Sequence, residues 1–135
     1  SLVILNSNDF AYINNIPEDS EISFDGVSLS FASTATLNMY FSGVSTNEVY
    51  CSDDNARIET VGQYVRVSIP NISFKNIKND FRVSFGSLDS SSYITYRPYN
   101  YCYNILNNSD NFDTKIYNLM KAFYFYCKAI DAYNR

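Results

Sequence analysis

Histidine and tryptophan are absent from this chain. Without histidine, the usual general base at neutral pH and the commonest metal ligand are both missing. Without tryptophan, the broadest aromatic platform for stacking on a sugar ring is missing too. Glycine occurs only four times and never in a cluster, which excludes a phosphate-cradling loop. Charged residues make up only 18%, and the net charge is −4 with no basic stripe. Nucleic acid is therefore set aside as a partner, because neutralisation of phosphates dominates that affinity. No uninterrupted apolar run approaches the roughly 18 residues of a membrane span, so none is expected. No basic-then-apolar leader opens the chain, although a signal removed upstream would leave no trace. Its opening in mid-strand, at Ser1-Leu2-Val3-Ile4-Leu5, suggests a domain excised from a longer protein.

Three cysteines form no C-x-x-C pair, and three sulfurs without histidine make a poor zinc site. Cys102 and Cys127 fall on two segments expected to form antiparallel helices. Residue 102 would then lie beside about residue 119, two turns short of Cys127 at ~1.5 Å per residue. That offset disfavours a disulfide, and buried thiols acting as small hydrophobes are the expected outcome.

What the chain does have is aromatic bulk. Apolar residues make up 46% of its 135 positions, with 13 Tyr and 10 Phe among them. A chain of this length suits one domain and buries roughly 70% of its unfolded surface, enough for a core without disulfides. The clearest periodic signal runs over 116–133. Ile116, Leu119, Met120, Phe123, Cys127 and Ile130 share one helical stripe, while Lys121, Lys128 and Asp131 point elsewhere. Tyr117, Tyr124 and Phe125 lie off that stripe, so either the helix is covered on two sides or these rings face another domain.

Upstream the period is two. Leu37, Met39 and Phe41 alternate with Thr36, Asn38 and Tyr40. Val65, Val67 and Ile69 alternate with Tyr64, Arg66 and Ser68 until Pro70 closes the run, and Phe81, Val83 and Phe85 repeat the pattern. Weaker strand signals cover 2–5, 10–13, 21–24, 27–31, 48–51, 57–61 and 93–96, with Asp25-Gly26 reading as a hairpin turn. About eight short strands without strand–helix alternation predict an antiparallel sandwich-like layer. Pro98 is placed to open a helix to about Leu106, and Asp113 or Thr114 to cap the last one. The expected fold is α+β: one domain over 1–135, with a β-rich layer (1–96) covered by an antiparallel helical hairpin (97–135). Tyr99, Tyr103, Leu106, Phe112 and the stripe would seal it. Biased use of Asn, Tyr and Ile is consistent with an AT-rich genome.

The stretch Thr95-Tyr96-Arg97-Pro98-Tyr99-Asn100-Tyr101-Cys102-Tyr103-Asn104-Ile105-Leu106, then Leu119-Met120-Lys121-Ala122, Tyr126, Ala129 and Ala132-Tyr133, resembles the tail of one module family. That family recurs in secreted and cell-surface proteins of Gram-positive gut and rumen bacteria. Its members carry Y-S-x-x-D-Y-x-x-x-V-L followed by L-V-K-A-M-L-N-Y-G-A-A-A-Q-x-Y-F. Val27-Ser28-Leu29-Ser30 and Leu37-Asn38-Met39-Tyr40 are similar to its S-L-S-L and L-N-F-Y opening. The small G-A-A-A run is replaced here by Cys127-Lys128-Ala129-Ile130, and Arg97-Pro98-Tyr99-Asn100 departs from the family's Ser and Asp positions. The resemblance implies a secreted or cell-surface, non-catalytic accessory module without implying a ligand.

Candidate chemistry is sparse. Asp53-Asp54 and the pair Asp110 and Asp113 offer loop oxygens of the kind calcium takes, but neither matches an EF-hand loop. Solvated turns are the simpler reading, and no metal or cofactor is expected. Glu18, Asp19, Glu21, Asp25, Glu48 and Glu59 show no spacing that singles out a glycosidase pair. No serine sits in G-x-S-x-G or has a histidine to activate it, so no enzyme activity is expected. The tyrosines carry more. Tyr50, Tyr64, Tyr93 and Tyr96 fall on or beside strands, where flat rings with polar tips stack on sugars. The simpler alternative is that they pack against the helical layer or line a solvated face. The expectation is an accessory module that binds polysaccharide. A spacer holding neighbouring domains, or an adhesin meeting a protein partner through a flat apolar patch, are the alternatives.

Overall fold

The computed structural model describes residues 11–108, 110 and 113–133, the side chain of Asp131 excepted. The expected strand over 2–5, Phe10 and the core position Phe112 lie outside the described residues. Two compact units divide between Pro98 and Tyr99. The first, Tyr12–Pro98, is a sandwich of two antiparallel four-stranded sheets. One runs β1 (Ile13–Asn14), β8 (Tyr93–Tyr96), β7 (Phe81–Phe85), β4 (Val49–Cys51). The other runs β2 (Ser23–Phe31), β3 (Ala35–Ser42), β6 (Tyr64–Ile72), β5 (Arg57–Val61).

Alternation does in space what it promises in sequence. Along β3, Ala35, Leu37, Met39 and Phe41 are wholly buried, while Thr36, Asn38, Tyr40 and Ser42 are half-buried on the other side. On β6, Val65, Val67 and Ile69 are buried against half-buried Tyr64, Arg66 and Ser68. Aromatic rings tie the sheets together. Phe41 of β3 meets Phe85 of β7 edge-on at 5.2 Å and stacks with Phe24 of β2 at 5.1 Å. Phe24 in turn meets Tyr96 of β8 at 6.2 Å.

Two strand boundaries differ from expectation, for one reason. Asp25-Gly26 does not turn the chain; β2 runs straight through it, with a register shift between Phe24 and Gly26. Gly26 lacks the positive φ that a hairpin turn would demand there. Nor does Pro70 end β6. The strand continues to Ile72 through a second shift, with Asn71 in the left-handed region at φ 60°. Both are β-bulges, each spending one extra residue. The true hairpin signal is Gly62-Gln63 between the paired Val61 and Tyr64, with Gly62 at φ 60° in the first loop position.

The second unit, Tyr99–Arg135 with Ser1–Ala11, is described through Ala11 and two helices. Helix α1 spans Pro98–Asn107, opened by the proline, and α2 spans Thr114–Tyr133. Asp113 caps α2: its carboxylate accepts the Lys115 amide at 2.7 Å and its carbonyl the Tyr117 amide at 3.0 Å. Asn100 of α1 donates to the carbonyl of Ala11 at 3.0 Å. Cys102 lies 3.6 Å from the sulfur of Met120, close to the pairing expected for an antiparallel hairpin.

The buried arc of α2 is narrower than the expected stripe and rotated from it. Met120, Phe123, Tyr124 and Cys127 are buried, whereas Ile116, Leu119 and Ile130 are exposed. The contact between Met120 and Cys102 centres the inward face near 120, and Tyr124, one turn on, turns inward with it. Phe125, Tyr126 and Tyr133 are exposed. All three cysteines are free thiols.

Two outcomes follow. Gly43 sits at φ 73°, and a Cβ there would collide with the carbonyl oxygen of Glu21. Gly43→Ala is expected to cost more than about 1 kcal/mol, measured as a fall in urea midpoint at unchanged m-value. Burial, with neighbouring Cys127 second, pushes the Cys102 thiol from 9.0 up to about 12. The folded state holds the neutral thiol, so its contribution is complete below pH 9 and is lost as pH rises toward 12. Cys102→Ala should flatten that alkaline decline in unfolding curves taken from pH 8 upward.

Candidate functional site

The four tyrosines picked out by strand position do not share a face. Tyr96 is buried in the sandwich, where it meets Tyr12 at 5.2 Å and Phe24 at 6.2 Å. Its even position on β8 turns it inward with Ile94, which removes it from any binding surface. Tyr50 and Tyr93 stand on the outer side of the first sheet, in register with Ser84 between them. They are separated by the β7–β8 loop. Ser84 is wholly buried and donates to the Leu88 carbonyl at 3.0 Å. Arg82 donates to the Ser90 carbonyl at 2.6 Å and lays its guanidinium 3.6 Å above the Tyr93 ring. One face of Tyr93 is thus already occupied. Tyr50 keeps an exposed ring.

Tyr64 stands apart, on the outer face of the second sheet, and there a constellation does form. Tyr40 and Tyr64 meet edge to face with centroids 6.3 Å apart and planes at 80°. Each ring therefore keeps at least one face clear of the other. Gln63 donates to the Tyr64 hydroxyl at 3.0 Å. Across the strands, register lines up Gly26, Tyr40, Arg66 and Glu59 in one row. The next row holds Ser28, Asn38, Ser68 and Arg57. Gly26, placed beside Tyr40 by the β2 bulge, leaves open space where a Cβ would stand.

The second row is a polarised chain. Ser68 donates its hydroxyl to the Asn38 oxygen at 2.7 Å, and the Asn38 amide donates to Ser28 at 3.3 Å. The Ser28 proton and the Ser68 lone pairs are left to face outward, a donor at one end and an acceptor at the other. Beside it, Arg66 meets Glu59 at 3.4 Å through Nη2, while its Nε is shielded and has no partner among the described residues. The pair is half-open to solvent, so it contributes only about 0–1 kcal/mol. The surface is half-buried, polar and aromatic, with hydrogen-bond donors and acceptors held in fixed directions by strand geometry.

Glu59 and, at the β2 bulge, Asp25 are the carboxylates on the strands of this sheet. Glu18, Asp19, Glu21, Asp25, Glu48 and Glu59 are all exposed. Glu48 caps a short 3₁₀ turn, and hydrogen bonds from the Ser45 hydroxyl and amide hold its carboxyl below the usual range. Asp25 accepts from Ser23 at 2.9 Å. Asp53 closes its own turn, its carboxylate accepting the Asn55 amide at 2.8 Å. Burial, ahead of the nearby Asp53 charge, raises the Cys51 thiol. Asp110 is exposed and Asp113 is the α2 cap. Among the described residues, no three Asp, Glu or Cys side chains gather as a metal-ligand set, and no helix is long and apolar enough to cross a membrane.

Sequence reasoning reached Tyr64 but missed Tyr40, Asn38, Arg57 and Arg66. The signal was present: Tyr40 and Asn38 occupy the outward positions of β3, as Tyr64 and Arg66 do on β6. No family model, curated protein or solved structure matches the chain.

Asn38 is the hinge of the polar row. Asn38→Ala should cost about 1–2 kcal/mol in denaturant unfolding, roughly one net contribution for each of two hydrogen bonds. Asn38→Asp should restore part of that loss, since its carboxylate still accepts from Ser68.

Proposed function

We propose that this chain is a non-catalytic accessory module of a secreted or cell-surface bacterial protein, and that it binds carbohydrate on the outer face of β2, β3, β6 and β5. The observation that carries the reading is the Tyr40–Tyr64 pair set beside the Ser28–Asn38–Ser68 chain. Sugar rings offer an apolar C–H face and a fringe of hydroxyls. Such a ligand needs flat aromatic surface and paired donors and acceptors at close range. Both are present here on a rigid sheet, where the platform is formed before the ligand arrives. The exposed, locally bonded carboxylates support a binding role over a hydrolytic one, since general acid catalysis calls for a carboxyl raised by its surroundings. The module-like tail over 95–133 supports placement outside the cell.

A second reading, a spacer that positions neighbouring domains, draws on one observation. Leu119, Tyr126, Ile130 and Tyr133 are exposed along one flank of α2. Such a flank would suit contact with another domain of the same polypeptide.

Affinity electrophoresis in soluble polysaccharides separates the two. Tyr40→Ala and Tyr64→Ala are each expected to reduce retention about tenfold, equivalent to about 1.4 kcal/mol. The unfolding temperature should change little, because both rings are partly solvated. Equal retention of wild type and both variants across a broad glycan panel would leave the spacer as the better account.

A further inference from the structure

The strands of the second sheet carry two guanidinium groups, Arg57 and Arg66, and two carboxylates, Glu59 and the bulge residue Asp25, which accepts from the Ser23 hydroxyl at 2.9 Å, on a chain whose net charge is −4. Resting on the carbohydrate reading above, we infer that the glycan is acidic and that Arg57 and Arg66 receive the carboxylate of a uronic acid residue.

Register makes the two arginines diagonal neighbours. Arg57 pairs with Ser68 and Glu59 with Arg66, so Arg57 and Arg66 stand one row apart on adjacent strands. Diagonal partners in a sheet are about 7–8 Å apart at the backbone, within reach of two long side chains. Arg57 is exposed and meets no carboxylate among the described residues. Arg66 is engaged incompletely. Its contact to Glu59 is long at 3.4 Å, and its Nε is shielded from water with no partner among the described residues. A guanidinium fork matched to a carboxylate makes two short parallel bonds, and Glu59 supplies neither the number nor the distance. Glu59 is also half-exposed, with its side chain open to solvent at 51%, so an incoming carboxylate displaces it readily.

The neighbouring groups fit the rest of such a sugar. Beside Arg66 on its row stands Tyr40, a face for the C–H side of a pyranose ring. Beside Arg57 stands Ser68, whose oxygen accepts from a ring hydroxyl while its own proton is committed to Asn38. Charge, stacking and hydroxyl recognition thus fall within a patch two residues deep and three strands wide.

The test is calorimetric titration of the intact chain with uronate-bearing oligosaccharides of several linkages, each paired with its methyl ester. The ester keeps the backbone and removes the charge. Expected are affinity at least about tenfold higher for the acid, weakening with added salt, and loss of that preference in Arg57→Gln and Arg66→Gln. Glu59→Gln is expected to strengthen acid binding severalfold, an effect that mere damage to the sheet would not produce. Circular dichroism melts of each variant confirm that it folds. Equal affinity for acid and ester, with binding still lost in Tyr40→Ala, overturns the uronate assignment and leaves the carbohydrate reading standing. No binding to acid or ester in any linkage overturns the assignment as well, and the retention of the tyrosine variants on neutral glycans then decides the broader reading. Preference for sulfated over carboxylated sugars also overturns it.

Discussion

Parity holds this molecule together. In a strand every second side chain faces the core, so a slip of one residue would send Leu37, Met39 and Phe41 into water and Asn38 and Tyr40 into the sandwich. The two long strands around β3 both contain a segment out of phase. Phe24 and Val27 are three residues apart on β2, yet both pair with inward residues, Phe41 and Met39. Ile69 and Ile72 are three apart on β6, yet both are buried. The bulges at Asp25 and at Pro70-Asn71 each absorb one residue and restore the phase. Proline suits that place because a bulge releases it from donating to the ladder.

The same constraint shapes the surface. The β2 bulge brings Gly26, rather than Asp25, opposite Tyr40, and open space stands where a side chain on that residue would lie. Outward positions of β3 and β6 then stack into rows whose chemistry follows from register alone. On the first sheet the outward row is treated differently. Its own β7–β8 loop folds back over Ser84, and Arg82 takes a face of Tyr93. The outward rows of the two sheets are thus furnished differently.

Much of this was legible in advance. Period-two alternation located β3, β6 and β7, and the Pro98 and Asp113 signals located both helices to within a residue or two, because capping chemistry is local. What escaped was non-local. Asp25-Gly26 has the composition of a turn and becomes a bulge only because a partner strand on one side continues past it. The inward face of α2 is set by where Cys102 meets Met120, so Tyr124 is buried and Ile116 is not, whatever the wheel suggests. Tyr96 was separable from Tyr93 by parity, but choosing Tyr40 over Tyr50 required strand order, and strand order leaves no mark in a single sequence.

The order β2-β3-β6-β5 also leaves β5 at a rim of its sheet, with one side of its backbone unpaired by any described strand. Such a rim invites recruitment of another chain and growth into fibres. Arg57 and Glu59 project from that strand as opposite charges, and a foreign strand docking alongside would have to desolvate both. Opposite charges at these two positions thus work against edge-to-edge pairing. Apolar side chains at both positions would remove that barrier and leave the rim open to self-association.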